Sequence, residues 1–400
     1  MIKATTPVVG TLGFLDTDST RYLADPHGVF DELRPQHDGF ATDCLGVSLL
    51  SHAACEAAFH DTLLVPGIDW LLTEMGHGPL WGVFGKTLTD SEGIDHQRLR
   101  RVVSPWFTAR RIDALRSRTR HLVDELLVDH EPATPLDVMS GLADLVPAKL
   151  FCWMIGAEPQ HADMLAQWSK VLLRVFTADP AMVAPVRAAK AELADYAGRL
   201  LARKRVVPAD DLASVLAGAE HAGVIDTDDS VNLLEELLSA SVDNTANATG
   251  LAVHTLAGHP EQWAAMHNDP TCIAAAVEEC GRYQPAIRHT IKYATADTVV
   301  LGRPIAAGTF VTIRIAAAHR DPTVYADPHR FDISRIQPKG QLSFGAGRHY
   351  CLGAALGRME IEEMVGGLVR RWSHAAICEG ADMSIVTSGH VRRLPLELIP

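Results

Sequence analysis

A mainly helical fold with a small β region is what this 400-residue sequence predicts, as one unit over residues 1–400. Three observations carry that expectation. To about residue 285, Ala, Leu, Glu and Arg dominate, and apolar residues return every three or four positions, the spacing of one helix face. After Tyr283-Gln284-Pro285 the pattern changes to short β-rich runs between Gly and Pro turns. No repeat, low-complexity tract or Ser/Gly linker divides the chain.

The helix-rich core is expected over about 90–285 and again over 350–372. Its clearest member runs from Asp228 to Ala257. Asp226, Thr227 and Asp228 offer N-cap chemistry and acidic first-turn charge, and Gly258 with Pro260 ends the run. Its middle, Ser239 to Asn247, is small and polar where a core helix is usually apolar. Either this stretch packs closely against neighbours, or it skirts a cavity and aims polar groups into it. Strands are expected within 290–315, at Thr290–Thr295, Thr298–Leu301 and Thr309–Ile313, with Gly302, Pro304 and Gly308 as turns. A last helix spans Ala354 to Trp372. Within 380–400, two short strands close the chain, around Met383–Val386 and Leu394–Leu398.

Composition narrows the function. Lys+Arg 36 against Asp+Glu 49 gives a net charge of −13, which argues against a general nucleic-acid binder. No apolar run reaches the roughly 18 residues of a membrane span, and Met1 to Pro7 lead into no apolar signal region, so a cytoplasmic protein without a membrane anchor is expected. Seven cysteines form no CxxC pair, which disfavours a disulfide scaffold or a zinc site.

Cys351 stands apart. It lies in Phe344-Gly345-Ala346-Gly347-Arg348-His349-Tyr350-Cys351-Leu352-Gly353, a Gly-rich loop directly before a helix. Glycines let a flat ligand approach the chain, and a helix N-terminus with Arg348 and His349 nearby favours thiolate. One thiolate cannot make a zinc site, but it can be the axial ligand of haem iron. A buried free cysteine in a turn is the plain alternative, and a catalytic nucleophile lacks an identifiable partner base.

The segment resembles the haem-ligand loop of the cytochrome P450 family, Phe-Gly-x-Gly-x-x-x-Cys-x-Gly, with His349 at a position where the family often has histidine. Other stretches match in order. Glu279-Cys280-Gly281-Arg282 resembles the family's Glu-x-x-Arg. Phe331-Asp332-Ile333-Ser334-Arg335 resembles Phe-Asp-Pro-x-Arg, with Ile333 for Pro. Ala318-His319-Arg320-Asp321-Pro322 resembles Ala-Asn-Arg-Asp-Pro, with His319 for Asn. Asp95-His96-Gln97-Arg98-Leu99-Arg100 resembles the His-x-x-x-Arg helix that meets the haem propionates. The match covers essentially the whole chain and is of the soluble bacterial type.

The resemblance implies the triangular, mostly helical P450 fold in one domain, with haem b between the long central helix and the Cys351 loop. Cys351 is then the metal ligand. His96, Arg100, Lys292 and His349 match propionate contacts, with Lys292 where relatives often carry Arg and Arg288 a possible substitute. Phe344, Gly345 and Ala240 would border the cofactor, and Glu279 and Arg282 would buttress the segment around Phe331 to Arg335. On the central helix the usual Ala-Gly-x-Asp/Glu-Thr reads Ala240-Ser241-Val242-Asp243-Asn244. Asp243 keeps the proton-relaying acid, but Asn244 replaces the hydroxyl, and an amide is a poorer proton donor. Thr245 follows, about 100° further around the helix.

The family takes substrate contacts from four segments. Here these put forward Trp70, Trp81 and Phe84 in the 63–89 stretch, Ser241 on the central helix, Ala286, Ile287 and His289 after Pro285, and Val391 in a late turn. Polar members suggest a substrate with hydrogen-bonding groups. The implied activity is that of a P450 monooxygenase or oxidase. It would draw electrons from a separate ferredoxin and ferredoxin reductase and act with O2 on a small molecule of natural-product metabolism, as a monomer. Arg98 and Arg101 are either a solvated face or part of a basic patch that docks an acidic ferredoxin. The alternative reaction is oxidative coupling or cyclisation without oxygen insertion, suggested by Asn244. A non-catalytic haem binder would have no need of Asp243.

Overall fold

The long helix expected from residue 228 forms over Thr227–Ala257 because both ends are chemically specified. The Asp226 side chain accepts from the Asp229 N–H at 2.7 Å, and the Asp229 carboxylate accepts from the Asp226 N–H at 3.3 Å. Gly258 caps its end, and the next helix, Pro260–Asn268, opens on a proline that could not continue the first. The structure, a computed structural model, describes residues 12–74, 87–131, 134–174, 180–336, 340–384 and 390–400.

This central helix, about 45 Å long at the usual rise, joins two apolar cores. Its first half, with Leu233, Leu237, Leu238 and Val242, belongs to a cluster that includes Leu99, Phe151 and Leu200. Its second half, with Ala246, Leu251, Val253 and Leu256, belongs to a cluster with Trp263, Leu368 and Leu396. The small polar stretch lies where one core gives way to the other. The last helix, Ala354–Arg371, packs across the Ala109–Leu127 helix and the central helix.

The largest sheet has five strands in the order Phe40–Thr42, Gly46–Leu49, Phe310–Ile313, Thr290–Ala294, Leu64–Pro66. Gly46–Leu49 runs parallel to Phe310–Ile313, and the other neighbours are antiparallel. Lys292 stands opposite Val311 on one side and Pro66 on the other. The expectation that β structure is confined to 290–315 and 380–400 is therefore corrected. Three strands of this sheet come from the stretch before 285 that reads as helical. Each has only three or four residues, too short to show alternation, and exists by pairing with a distant partner. A second sheet pairs Pro395–Ile399 with Leu136–Asp137 and His374–Ile377, and a hairpin joins Asp382–Ser384 to His390–Arg393. Among the described residues, no helix is long and apolar enough to cross a membrane.

Glu279 and Arg282 lie one turn apart on the Ile273–Tyr283 helix, and both are buried. Arg282 donates from Nε and an Nη to the two Glu279 oxygens, each at 2.7 Å, and reaches the carbonyls of His319, Pro328 and Arg330 at 2.8–3.1 Å. Glu279 also accepts from the Asp332 N–H at 3.0 Å and from Arg335 at 3.2 Å. The pair thus ties together residues 319–335, the strand of chain leading to the cysteine loop.

Candidate active site

The cysteine loop has its shape because two glycines adopt positive φ, +69° at both Gly345 and Gly347. At Gly347 a Cβ would stand 2.4 Å from the Phe59 carbonyl oxygen, so no other residue fits without moving backbone. The Cys351 N–H donates to the Phe344 carbonyl at 2.9 Å, closing the loop on itself, and the Ala354–Arg371 helix begins just beyond. The Cys351 side chain is accessible although it lies deep in the fold. The helix start and nearby cations do not by themselves make a thiolate. Burial pushes the thiol up, and the Gly353 N–H, Arg100 and Arg358 only partly oppose it. A metal cation held by Cys351 would supply the missing charge, because a coordinating thiol is deprotonated outright.

Beside this loop the fold gathers residues far apart in sequence. The His96 and His349 rings lie 4.4 Å apart, centre to centre. Lys292 is buried, 6.0 Å from the Phe59 ring, and burial with Arg348 pushes its ammonium down to about 8. Arg100 donates to the Tyr350 carbonyl at 2.7 Å. Glu92, which the sequence reading missed, links the parts. It accepts from Arg348 at 2.6 and 3.0 Å and sits 3.0 Å from His349 Nε2. Its signal was only its place four residues before His96. Its partner Arg348 cannot be read from sequence. Arg288 lies elsewhere, among Tyr22, His27 and His289.

These residues fit a haem. Buried His96 has an Nε2 with no hydrogen-bond partner among the described residues, and Lys292 is a second buried basic group, close to His349. Both are donors suited to carboxylates, and Cys351 is an accessible thiol in the same loop as His349.

On the central helix, Ala240 is exposed and Asn244 partly so, and the Asn244 amide donates back to the Ala240 carbonyl at 3.4 Å. Thr245 is buried and faces the Ala354–Arg371 helix, its Oγ1 3.9 Å from where a Cβ on Gly357 would stand. It therefore does not share Asn244's face. Burial raises the Asp243 carboxyl above the usual range, partly offset by His390, Lys170 and Arg174, while Asp144 adds to the rise.

The substrate candidates are scattered. Trp70 stacks flat on Tyr293 at 4.4 Å. Trp81 and Phe84 lie outside the described residues. Ser241 is partly buried, Ala286 packs at the edge of the second core, and Ile287 is 42% exposed. His289 is accessible yet sunk beside Arg314 and Arg288, and burial pushes its imidazole down to about 4. Val391 is buried within the second core, while its strand neighbours His390 and Arg392 are exposed. Phe344 carries the Arg358 guanidinium 4.2 Å from its ring centre. Arg98 is part-exposed and already paired, bonding Asp229 at 2.5 Å and the Val224 carbonyl at 3.2 Å, whereas Arg101 is exposed.

Residues 204–389 match the family model described as Cytochrome P450. The chain is 31% identical over 372 residues to luteothin monooxygenase of Streptomyces thioluteus, covering 92% of this chain and 91% of that protein. Among solved structures, CalO2 superposes with a TM-score of 0.88 at 26% identity, covering 98% of this chain and all of that one. CxnD, described as the P450 for C–S bond formation in chuangxinmycin biosynthesis, superposes at 0.85 with 26% identity, covering 98% of this chain and 99% of its own. With the loop, the buried Glu279–Arg282 pair and the fold in agreement, the chain belongs to the cytochrome P450 family of haem monooxygenases.

Proposed function

We propose that this protein is a natural-product monooxygenase that binds haem b through Cys351 and oxidises a small organic molecule, with electrons from a separate ferredoxin and its reductase. The observation that carries the reading is the convergence of His96, Arg100, Lys292 and His349 beside one accessible cysteine in a glycine-shaped loop. When bound, the haem supplies oxygen activation. The protein's own residues hold and feed it. Cys351 would hold the haem iron, and His96, Lys292, Arg100 and His349 would hold its propionates. Lys292 suits that role better than Arg288, because Lys292 shares its surroundings with Arg348 and His349, while Arg288 is turned toward Tyr22. Phe344, Gly345 and Ala240 border the ring. Asp243 holds a proton to higher pH than an ordinary aspartate and passes it inward along the central helix. Thr245, turned toward the last helix, supports packing there.

A second reading is oxidative coupling or cyclisation without oxygen insertion. It is favoured by Asn244, an amide where a hydroxyl would assist proton delivery, and by the likeness to an enzyme of C–S bond formation. Exposed Arg101 belongs to the surface offered to an acidic ferredoxin, and Arg98 does not. The test is the absorption spectrum of the reduced, carbon-monoxide-bound protein. A thiolate-type carbonyl band is expected in the parent and its loss in Cys351→Ala. A variant that keeps the band would sink the ligand assignment.

A further inference from the structure

One stripe of the central helix runs through Glu236, Ala240, Asn244 and Asn247. Spacings of four, four and three return to the same face, and Glu236 and Asn247 are only about 20° apart around the axis. Ala240 in the middle of the stripe is exposed, Asn244 and Glu236 are partly buried, and Asn247 is buried. Each end holds a different segment of chain by hydrogen bonds from backbone.

At one end, the Glu236 carboxylate accepts from the Leu88 N–H at 2.5 Å, from the Thr89 N–H at 2.8 Å and from the Thr89 hydroxyl at 2.5 Å. Three donors converge on one carboxylate, a strong and directional attachment. The chain beyond is itself braced, Thr87 to Asp90 at 2.7 Å and Ser91 to the Thr87 carbonyl at 2.5 Å, before the Gly93–Val103 helix starts. At the other end, the buried Asn247 Oδ1 accepts from the Val391 N–H at 2.9 Å. Val391 rides close on the helix, since a Cβ on Gly250 would stand 3.1 Å from its own Cβ. Strand His390–Arg393 is thereby pinned to the helix side by side with its hairpin partner.

We propose that Glu236 and Asn247 are positioning residues that set substrate specificity. From one rigid stripe they fix the chain at Leu88–Thr89 and at Val391, on either side of Asn244, and so set the room left for a molecule beside it. A helix does not stretch, so the distance between the two attachments is set by the three turns between them. The inference rests on the proposed function, in which Ala240, one turn before Asn244, borders the haem.

The test compares two probes that bind haem iron through an imidazole nitrogen. Imidazole needs little more than the iron, whereas 4-phenylimidazole also needs room along the walls. In Glu236→Ala and in Asn247→Ala, the dissociation constant for 4-phenylimidazole is expected to change about tenfold, with that for imidazole held within about twofold. Glu236→Gln keeps an acceptor oxygen for Thr89 and is expected to lie between parent and Glu236→Ala; with Asn247→Ala it carries the test if Glu236→Ala does not fold. Unchanged probe ratios in these variants overturn the inference, and so does an equal weakening of both probes, which marks general loosening. A parent that shows no thiolate-type carbonyl band overturns the proposed function, and this inference with it.

Discussion

Arg282, on the cysteine side of the molecule, and Asp243, on the central helix, are both charged groups of the interior, held in opposite ways. Arg282 is fully buried and makes five hydrogen bonds, two to Glu279 and three to carbonyls of the chain it braces. Asp243 is only partly buried, among the mixed charges of His390, Lys170, Arg174 and Asp144, and burial holds its carboxyl up. A group satisfied on all sides is costly to disturb and makes a frame. A carboxyl whose burial works against its charge can take and give a proton, which a frame residue cannot. On the proposed function, the cysteine side holds still while the helix side exchanges protons and admits a substrate.

The contrast can be broken most sharply at Cys351. Cys351→Ser is expected to abolish the thiolate-type carbonyl spectrum and all turnover, read by absorbance and product formation. Next comes Asp243→Asn, which removes the ionisable group from the helix side. Turnover should fall on the order of 10² to 10⁴-fold with the carbonyl band intact. If Asp243→Asn matches the parent, the small polar run is a packing feature.

Arg282→Ala tests the frame. It takes from the buried Glu279 its two-pronged partner, leaving only Arg335 and the Asp332 N–H, and removes a donor from three carbonyls, at a cost of roughly 3–5 kcal/mol, a large part of a typical stability of about 5–15 kcal/mol. Little haem-loaded protein should be recovered, and a normal yield of loaded Arg282→Ala would show the pair to be dispensable. A smaller effect is expected from Lys292→Met, which removes one cation from the propionate cluster. Haem transfer to apomyoglobin should quicken by about ten- to a hundredfold, in line with one charge-assisted hydrogen bond of roughly 1.5–3 kcal/mol. Arg288→Met should leave that rate unchanged. The smallest effect is at Asn244. Asn244→Thr should change coupling of reductant to product by no more than a few-fold, measured as peroxide released per product formed. A large gain would identify the amide as the limit on proton delivery.

Much of this was legible before any coordinates because it depends on local chemistry. Glycines required at fixed offsets, an acid and arginine one turn apart, and caps at both ends of the central helix all leave marks within a few residues. The motifs at Cys351 and at Glu279 and Arg282 therefore identified the family, and with it the fold. The early strands were not legible. Phe40–Thr42, Gly46–Leu49 and Leu64–Pro66 are too short to carry a pattern and are made by partners far along the chain.

Tertiary structure alone decided the partners. Glu92 became the link between Arg348 and His349, Arg98 was drawn into pairing with Asp229, and Val391 turned into the core. It alone showed that Thr245 faces the last helix and that Glu236 and Asn247 reach back to Leu88, Thr89 and Val391. Side-chain identity and spacing determine which groups are available and on which face of a helix they stand. Which of several possible donors or charges each one meets is set by how distant segments pack, a long-range outcome that no local pattern contains.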